Sequence, residues 1–213
     1  MLIKLIIFDL DGTLIDSVSD IANAVNYAVK PIGLDGQSDD AIRALLGGGI
    51  SGLISCLVAE NKACFLDEAV ERFMDYYREH LLDYTLVYDG VEDALKELAP
   101  QSMGVISNKR EELVKKILSE LGLAPYFGQI YGSDSASDKK PSPAPILKMM
   151  GYFGVTPEET MIVGDGEADV GAGKAAGVTT VSVTYGYRTK EQLSGTDFYI
   201  DGIGELPALI NRL

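Results

Sequence analysis

The sequence predicts an α/β fold: a doubly wound parallel sheet into which a helical domain is inserted. Three observations lead to it. An apolar run, Leu2 to Phe8, opens the chain and reads as a buried strand. Residues 15–85 then show helical periodicity only. After that, short apolar or β-rich runs alternate with helical stretches, the pattern of strands joined by crossover helices. The expected domains are therefore 1–14 with 86–213 for the α/β core, and 15–85 for the insertion.

The elements follow in order. Ser17-Val18-Ser19-Asp20 reads as a capping box opening a helix that runs to about Lys30, with Pro31 and Gly33 ending it. Residues 38–46 and 50–60 read as two helices separated by Gly47-Gly48-Gly49. Val70, Phe73, Met74, Tyr77 and Leu81 recur at helical spacing within 67–82. Beyond Asp89-Gly90 come a helix (91–98), a strand (103–106), a helix (110–122) ended by Gly122 and a strand (129–132). Pro143 suits the first turn of a helix over 143–152. A strand (161–163), a helix (168–176) ended by Gly177, a strand (179–183), an edge strand (198–200) and a last helix (205–212) complete the pattern.

Composition narrows the function classes. The chain has 213 residues, 46% of them hydrophobic, which suffices for a large core. With 18 basic and 32 acidic residues the net charge is −14, so nucleic acid and anionic membranes are not expected partners. An anionic substrate needs a locally positive pocket. Cys56 and Cys64 form neither a disulfide framework nor a zinc site and are expected to be small buried thiols in a cytoplasmic protein. The N-terminal apolar run is short and stops at Asp9, so no signal peptide is read. His80 is the only histidine and is read as a residue of an exposed helix face. Histidine triads and multi-histidine metal sites are thereby excluded.

Chemistry-bearing residues cluster where the predicted strands end. The first strand runs into Asp9-Leu10-Asp11-Gly12-Thr13-Leu14. Two carboxylates spaced i, i+2 fall on the same side of an extended chain and repel one another. A divalent metal or a shared proton would relieve them. The next strand ends in Ser107-Asn108, and a later one in Gly164-Asp165-Gly166-Glu167-Ala168-Asp169. Lys140-Pro141-Ser142-Pro143 lies at the mouth of a helix. In open parallel sheets ligands bind beyond the carboxyl ends of the strands. Hard oxygen ligands, neutral donors and one cation gathered there suit Mg²⁺ together with a phosphoryl group. Read singly, Asp11-Gly12 and Gly164-Asp165-Gly166 are ordinary turn signals and Ser107 a helix cap; it is their order on successive strand ends that makes a site.

These four segments resemble the motifs of the haloacid dehalogenase-like (HAD) hydrolases: D-x-D-G-T-L at Asp9–Leu14, S/T-N at Ser107-Asn108, K-P at Lys140-Pro141 and G-D-x-x-x-D at Gly164–Asp169. The resemblance spans the chain. It implies a Rossmann-like core, with residues 15–85 as a helical cap of the family's C1 kind. It makes Asp9 the nucleophile and a metal ligand. Asp11 becomes the general acid and base, its backbone carbonyl also on the metal. Ser107, Asn108 and Lys140 would hold the phosphoryl group. Asp165 would bind Mg²⁺, and Asp169 would bind it through water or orient that ligand. Family members that cleave carbon–halogen or carbon–phosphorus bonds usually lack an aspartate at the place of Asp11. Its presence therefore implies an oxygen leaving group.

The expected function is Mg²⁺-dependent hydrolysis of a small phosphorylated metabolite, in the manner of phosphoglycolate phosphatase-like members, by a protein acting as a monomer. A β-phosphoglucomutase-like mutase or a pyrophosphatase are the enzymatic alternatives, and a phospho-acceptor signalling module the alternative of another class. The signalling modules are shorter, lack the cap, and place the paired acids and the acceptor on different strands. A mutase needs more polar groups in its cap than the glycine loop offers. Gly47, Gly48 and Gly49 are read either as a connector or as a loop that approaches a small substrate, with Gly48 the position expected to be strained by a bulky replacement. Arg43, one turn earlier, is read as solvated or as the partner of a substrate carboxylate.

Overall fold

Six strands in the order β5-β4-β1-β6-β7-β8 make one parallel sheet, and it belongs to a unit formed by residues up to Asp16 and from Val87 onward. The computed structural model describes residues 2–58 and 64–213. The strands are β1 (Leu5–Phe8), β4 (Ser102–Ile106), β5 (Gln129–Tyr131), β6 (Thr160–Gly164), β7 (Thr179–Val183) and β8 (Phe198–Ile200). The helices of this unit are α5 (Val91–Glu97), α6 (Glu111–Glu120), α7 (Ala144–Phe153), α8 (Glu167–Ala176) and α9 (Leu206–Ile210). Every strand and helix expected here is present, with ends moved by no more than two residues except at the first strand, which starts at Leu5 instead of Leu2.

β1 lies inside the sheet, paired in register with β4 on one side and β6 on the other. All four of its residues are fully buried, which explains an apolar run with no alternation. Leu5 and Ile7 face a cluster of Ile106, Ile146, Met149, Ile162 and Ala172, contributed by β4, α7, β6 and α8. Phe8 turns to the other face and meets Phe127 edge-on at 6.2 Å. The chain builds outward from β1 through β4 to β5, then returns to the other side of β1 for β6, β7 and β8. The strand order therefore reverses between β1 and β6. A crevice opens at such a reversal, beyond the carboxyl ends of the strands.

Residues 17–86 form the second unit, with α1 (Val18–Val29), α2 (Asp39–Leu45), α3 (Gly49–Leu57) and α4 (Leu66–Glu79). Residues 59 and 60, the expected end of the third helix, lie outside the described residues. Ile21, Val25, Ile42, Ile54, Phe73 and Tyr77 are buried in its core. Tyr76 stacks between Tyr27 and His80, and His80 Nδ1 lies 2.8 Å from Asp83.

Three expectations need correction. Residues 15–85 are not helical throughout. Ile15–Asp16 is a short strand, β2, paired with β3 (Leu86–Val87) where the chain leaves and re-enters the sheet unit. Two residues are too few to show a period. The capping box at Ser17 is absent: the Ser17 side chain makes no cap bond. Asp20 turns inward instead. Its buried carboxylate accepts from Tyr84 N (3.1 Å), Thr85 N (2.8 Å) and Thr85 Oγ1 (2.7 Å), tying together segments 64 residues apart. Lastly, Cys56 and Cys64 are exposed, not buried.

Asp20→Ala should destabilise the protein by on the order of 2–3 kcal/mol, because it strands two backbone N–H groups and a hydroxyl away from water. Urea unfolding should show a lower midpoint with helix content unchanged in the folded baseline. Asp20→Asn, which keeps one acceptor oxygen, should lose less. A midpoint unaffected by Asp20→Ala would show that water replaces the carboxylate.

Candidate active site

β1 and β6 are neighbours and stop at the same level, Phe8 opposite Val163, so Asp9 and Asp165 emerge side by side at the strand reversal. Backbone pairing continues one residue beyond β1, where Asp9 N donates to Val163 O at 2.9 Å. The chain then turns on Gly12, at φ +83°. Asp165 leads into α8, whose third residue, Asp169, accepts a hydrogen bond from Gly166 N at 3.1 Å with its Oδ2. Asp169 is therefore a helix cap as well as a site residue.

Lys140 joins the elements. Its ammonium lies 2.8 Å from Asp9 Oδ1 and 2.6 Å from Asp169 Oδ1, and donates to Ile106 O at 2.6 Å. Three acceptors fill its three donor positions. The side chain is 2% exposed, against 16% for Asp9. The Lys140–Pro141 peptide bond is cis. Asn108 reaches the same segment, donating through Nδ2 to Lys140 O at 2.9 Å. Ser107 is buried at the end of β4, and its Oγ accepts from Lys109 N at 3.1 Å.

Charge in this cluster is out of balance. Asp9, Asp165 and Asp169 each offer a carboxylate oxygen, all within 4.8 Å of one another. Fully ionised, three carboxylates against one ammonium would leave two negative charges uncompensated. Burial first, then repulsion from Asp169, pushes the Asp9 carboxyl up to about 7 despite the pull of Lys140. Burial, Asp9 and Asp169 also hold Asp165 well above the usual carboxylate range, against the hydrogen bond from Tyr187. Burial alone would lower the Lys140 ammonium, but Asp169 and Asp9 outweigh it and keep it above its ordinary value, so it stays protonated. Two surplus negative charges on hard oxygen donors fit a divalent cation such as Mg²⁺.

Asp11 stands apart from that cluster in its pairing. Its Oδ1 takes a 2.9 Å ion pair from Lys109, a side chain only 9% exposed. Lys109 was not among the expected site residues. Nothing in the sequence alone marks it, because residues 107–109 leave the strand and its pairing with Asp11 depends on β4 lying beside β1. The other expected residues belong to the helical unit. There Arg43 pairs with Asp40 at 2.6 Å on the same helix. Gly47 and Gly49 take φ +112° and +75°, whereas Gly48 has φ −82° and open space where a Cβ would stand. The strain expected on replacing Gly48 therefore belongs to its two neighbours.

The sheet order and this cluster define a parallel α/β protein with an acidic cluster at its strand reversal. The sequence profile described as "Haloacid dehalogenase-like hydrolase" matches residues 6–183, and the chain belongs to that family. Within it the chain is phosphoglycolate phosphatase-like. It is 42% identical over 186 residues, 86% of each chain, to a protein of Aquifex aeolicus named phosphoglycolate phosphatase. It is 38% identical, over 99% of this chain and 97% of the other, to a protein of that name from Chromobacterium violaceum. A crystal structure of a predicted phosphoglycolate phosphatase from Haemophilus somnus superposes with TM-score 0.89 at 29% identity, covering 97% of both chains. No helix among the described residues is long and apolar enough to cross a membrane.

The raised Asp9 carboxyl has a thermodynamic consequence. From its ordinary 3.8 up to about 7 the folded chain keeps a proton that the unfolded chain releases, so this group makes stability fall as pH rises through that window, and the loss is complete above it. In chelator, Asp9→Asn should be no more stable than the wild type at the acid end of the window and should gain on it as pH rises, levelling off above about 7. Urea titrations across the window measure this. A wild type that gains on Asp9→Asn with rising pH would mean that Lys140 outweighs burial.

Proposed function

We propose that this chain is a Mg²⁺-dependent phosphatase of a small phosphate monoester, phosphoglycolate being the foremost candidate, and that it works through an aspartyl phosphate on Asp9. The observation that carries the reading is the Lys140 ammonium between Asp9 and Asp169, with Asp165 beside them. Such a group can screen an incoming phosphoryl anion while holding the nucleophile in place. The relatives' names supply the substrate candidate.

Asp9, Asp165 and Asp169 would hold the metal, directly or through water. When bound, the metal offsets the charge of the carboxylates and of the phosphoryl oxygens. In the first half-reaction an Asp9 oxygen bonds to phosphorus as the bond from phosphorus to the ester oxygen breaks. Asp11 gives that oxygen a proton. In the second, a water oxygen bonds to phosphorus, the water's proton passes to Asp11, and the bond to Asp9 breaks. Inorganic phosphate leaves and both aspartates are restored. Ser107, Asn108 and Lys140 would hold the phosphoryl oxygens, Lys140 by exchanging one of its three present acceptors for one of them. For Asp11 to reach the ester oxygen, its ion pair with Lys109 must open. All four motifs lie outside residues 17–86, so we assign the chemistry to the sheet unit and the choice of substrate to the helical unit as a cap.

A hydrolysis screen over phosphoglycolate, sugar phosphates, nucleotides and pyrophosphate, with Mg²⁺ and with chelator, tests the reading. Turnover should vanish in chelator and return with Mg²⁺. Ca²⁺ should support little, because its looser coordination tolerates unproductive geometry at Asp9. Full activity in chelator rejects the metal assignment.

Asp9→Asn should abolish turnover without loss of fold; substantial residual activity would sink the covalent route. Asp11→Asn should cost about 10²–10⁴-fold. Where phosphorylation limits the rate, the loss should be smaller for an aryl phosphate, whose leaving group needs no proton, than for an alkyl phosphate. Equal losses on the two would leave Asp11 only a structural or metal-binding role.

A further inference from the structure

The loop Thr184–Arg188, which follows β7, contains none of the four motifs, yet it packs directly on Asp165. Tyr187 N donates to Asp165 Oδ2 at 2.7 Å. A Cβ on Gly186 would stand 2.3 Å from Asp165 Cβ, 2.7 Å from its Oδ2 and 2.5 Å from Gly12 O. A Cβ on Gly12 would stand 2.2 Å from Asp165 Oδ2. The Asp165 side chain thus rests against two bare stretches of backbone from different loops. The same loop is fastened to the turn after β1. The Tyr185 hydroxyl donates to Thr13 O at 2.7 Å, and the Tyr187 hydroxyl lies 3.2 Å from Asp16 Oδ1. Thr13 Oγ1 closes the circuit with a long 3.5 Å contact to Asp165 Oδ1. The Tyr185 ring packs on Tyr88 with centroids 4.8 Å apart.

We propose that Thr184–Arg188 is a positioning segment for the metal: it holds the Asp165 carboxylate in its binding orientation and so sets the affinity of the chain for the divalent cation. This rests on the reading of Asp165 as a metal ligand. The physical need is plain. Rotation of a carboxylate about its last torsion meets only a broad, roughly two-fold preference, so the side chain's own rotamer energy does not fix the plane in which its oxygens lie. An N–H on one oxygen, together with two surfaces that leave room for a single orientation, does fix it. Partners of this kind behind a metal ligand typically change metal affinity 10–100-fold. Gly186 is a clean probe because its φ lies outside the left-handed region. Alanine suits that backbone, and the three atoms nearest to its Cβ belong to Asp165 and Gly12.

The test is calorimetric titration of Mg²⁺ into the full, metal-stripped chain for the wild type, Gly186→Ala, Tyr185→Phe and Asp165→Asn, with Asp20→Ala as a control for general loss of stability. Gly186→Ala should bind Mg²⁺ about 10–100-fold more weakly. Its turnover should recover at high Mg²⁺, with KM for the phosphate ester within about twofold of wild type, a split that general loosening would not give. Tyr185→Phe keeps the ring and removes only the tether, so it should weaken Mg²⁺ binding a few-fold. It decides the matter if Gly186→Ala does not fold. Asp20→Ala should bind Mg²⁺ as the wild type does. Wild-type affinity in Gly186→Ala, or in Tyr185→Phe where the first does not fold, while Asp165→Asn has lost binding, overturns the proposal and leaves the phosphatase reading standing. Equal binding by Asp165→Asn and the wild type removes Asp165 from the ligands and overturns both.

Discussion

A buried lysine held between two carboxylates is the interaction on which the rest of the site depends. Taking an ammonium and its partners out of water costs several kcal/mol per ion, recovered only where geometry is close and every donor is used. Lys140 meets that condition, with Asp9, Asp169 and Ile106 O around its three hydrogens. The pairing also binds three parts of the chain: the loop after β1, the segment before α7 and the first turn of α8. Yet it satisfies only part of the charge. Asp165 and the remaining share of Asp9 stay raised. Compensation is thus incomplete, and the shortfall is the basis on which a divalent cation is proposed for the site.

The topology explains why these groups meet. The strand order reverses at β1 and β6, and no crossover helix covers the carboxyl ends at that point. Asp9 and Asp165 occupy it because their strands are hydrogen-bonded in register. β4, on the other flank of β1, delivers Ser107, Asn108 and Lys109. Position along the sheet, not nearness in sequence, therefore decides which residues share the crevice.

Strands buried on both faces were legible because nothing in them breaks the apolar run, as in Leu5–Phe8. The motif residues were legible because strand ends in a parallel sheet all point to one side. What escaped the sequence was pairing across long separations. Ser17 and Asp20 have the spacing of a capping box, but the Tyr84 and Thr85 N–H groups compete for the buried Asp20 carboxylate and win. Lys109 has the composition of a surface residue beside Arg110 and becomes informative only once β4 is known to lie next to β1. The two-residue strands β2 and β3 carry no period at all. Gly186 looks like any loop glycine until Asp165 is seen against it. Cys56 and Cys64 are exposed, although cysteine is among the residue types most often buried.

Local rules are broken in this fold chiefly where chemistry is expected, and the breaks reinforce one another. Gly12 is held at positive φ and packed against a carboxylate, so the turn after Asp9 admits no side chain. The carboxylate it meets belongs to Asp165, itself costly to bury in ionised form. A less polar cluster would make a more stable sheet, since apolar replacements of buried ion pairs are often neutral or stabilising. The sheet tolerates the cost because β1, β4, β6 and β7 bury nearly all their side chains on both faces. Stability is thus concentrated in the strands and spent at their ends. That separation lets the loops at the strand ends carry a tight glycine turn and surplus charge while the register that aligns them stays fixed.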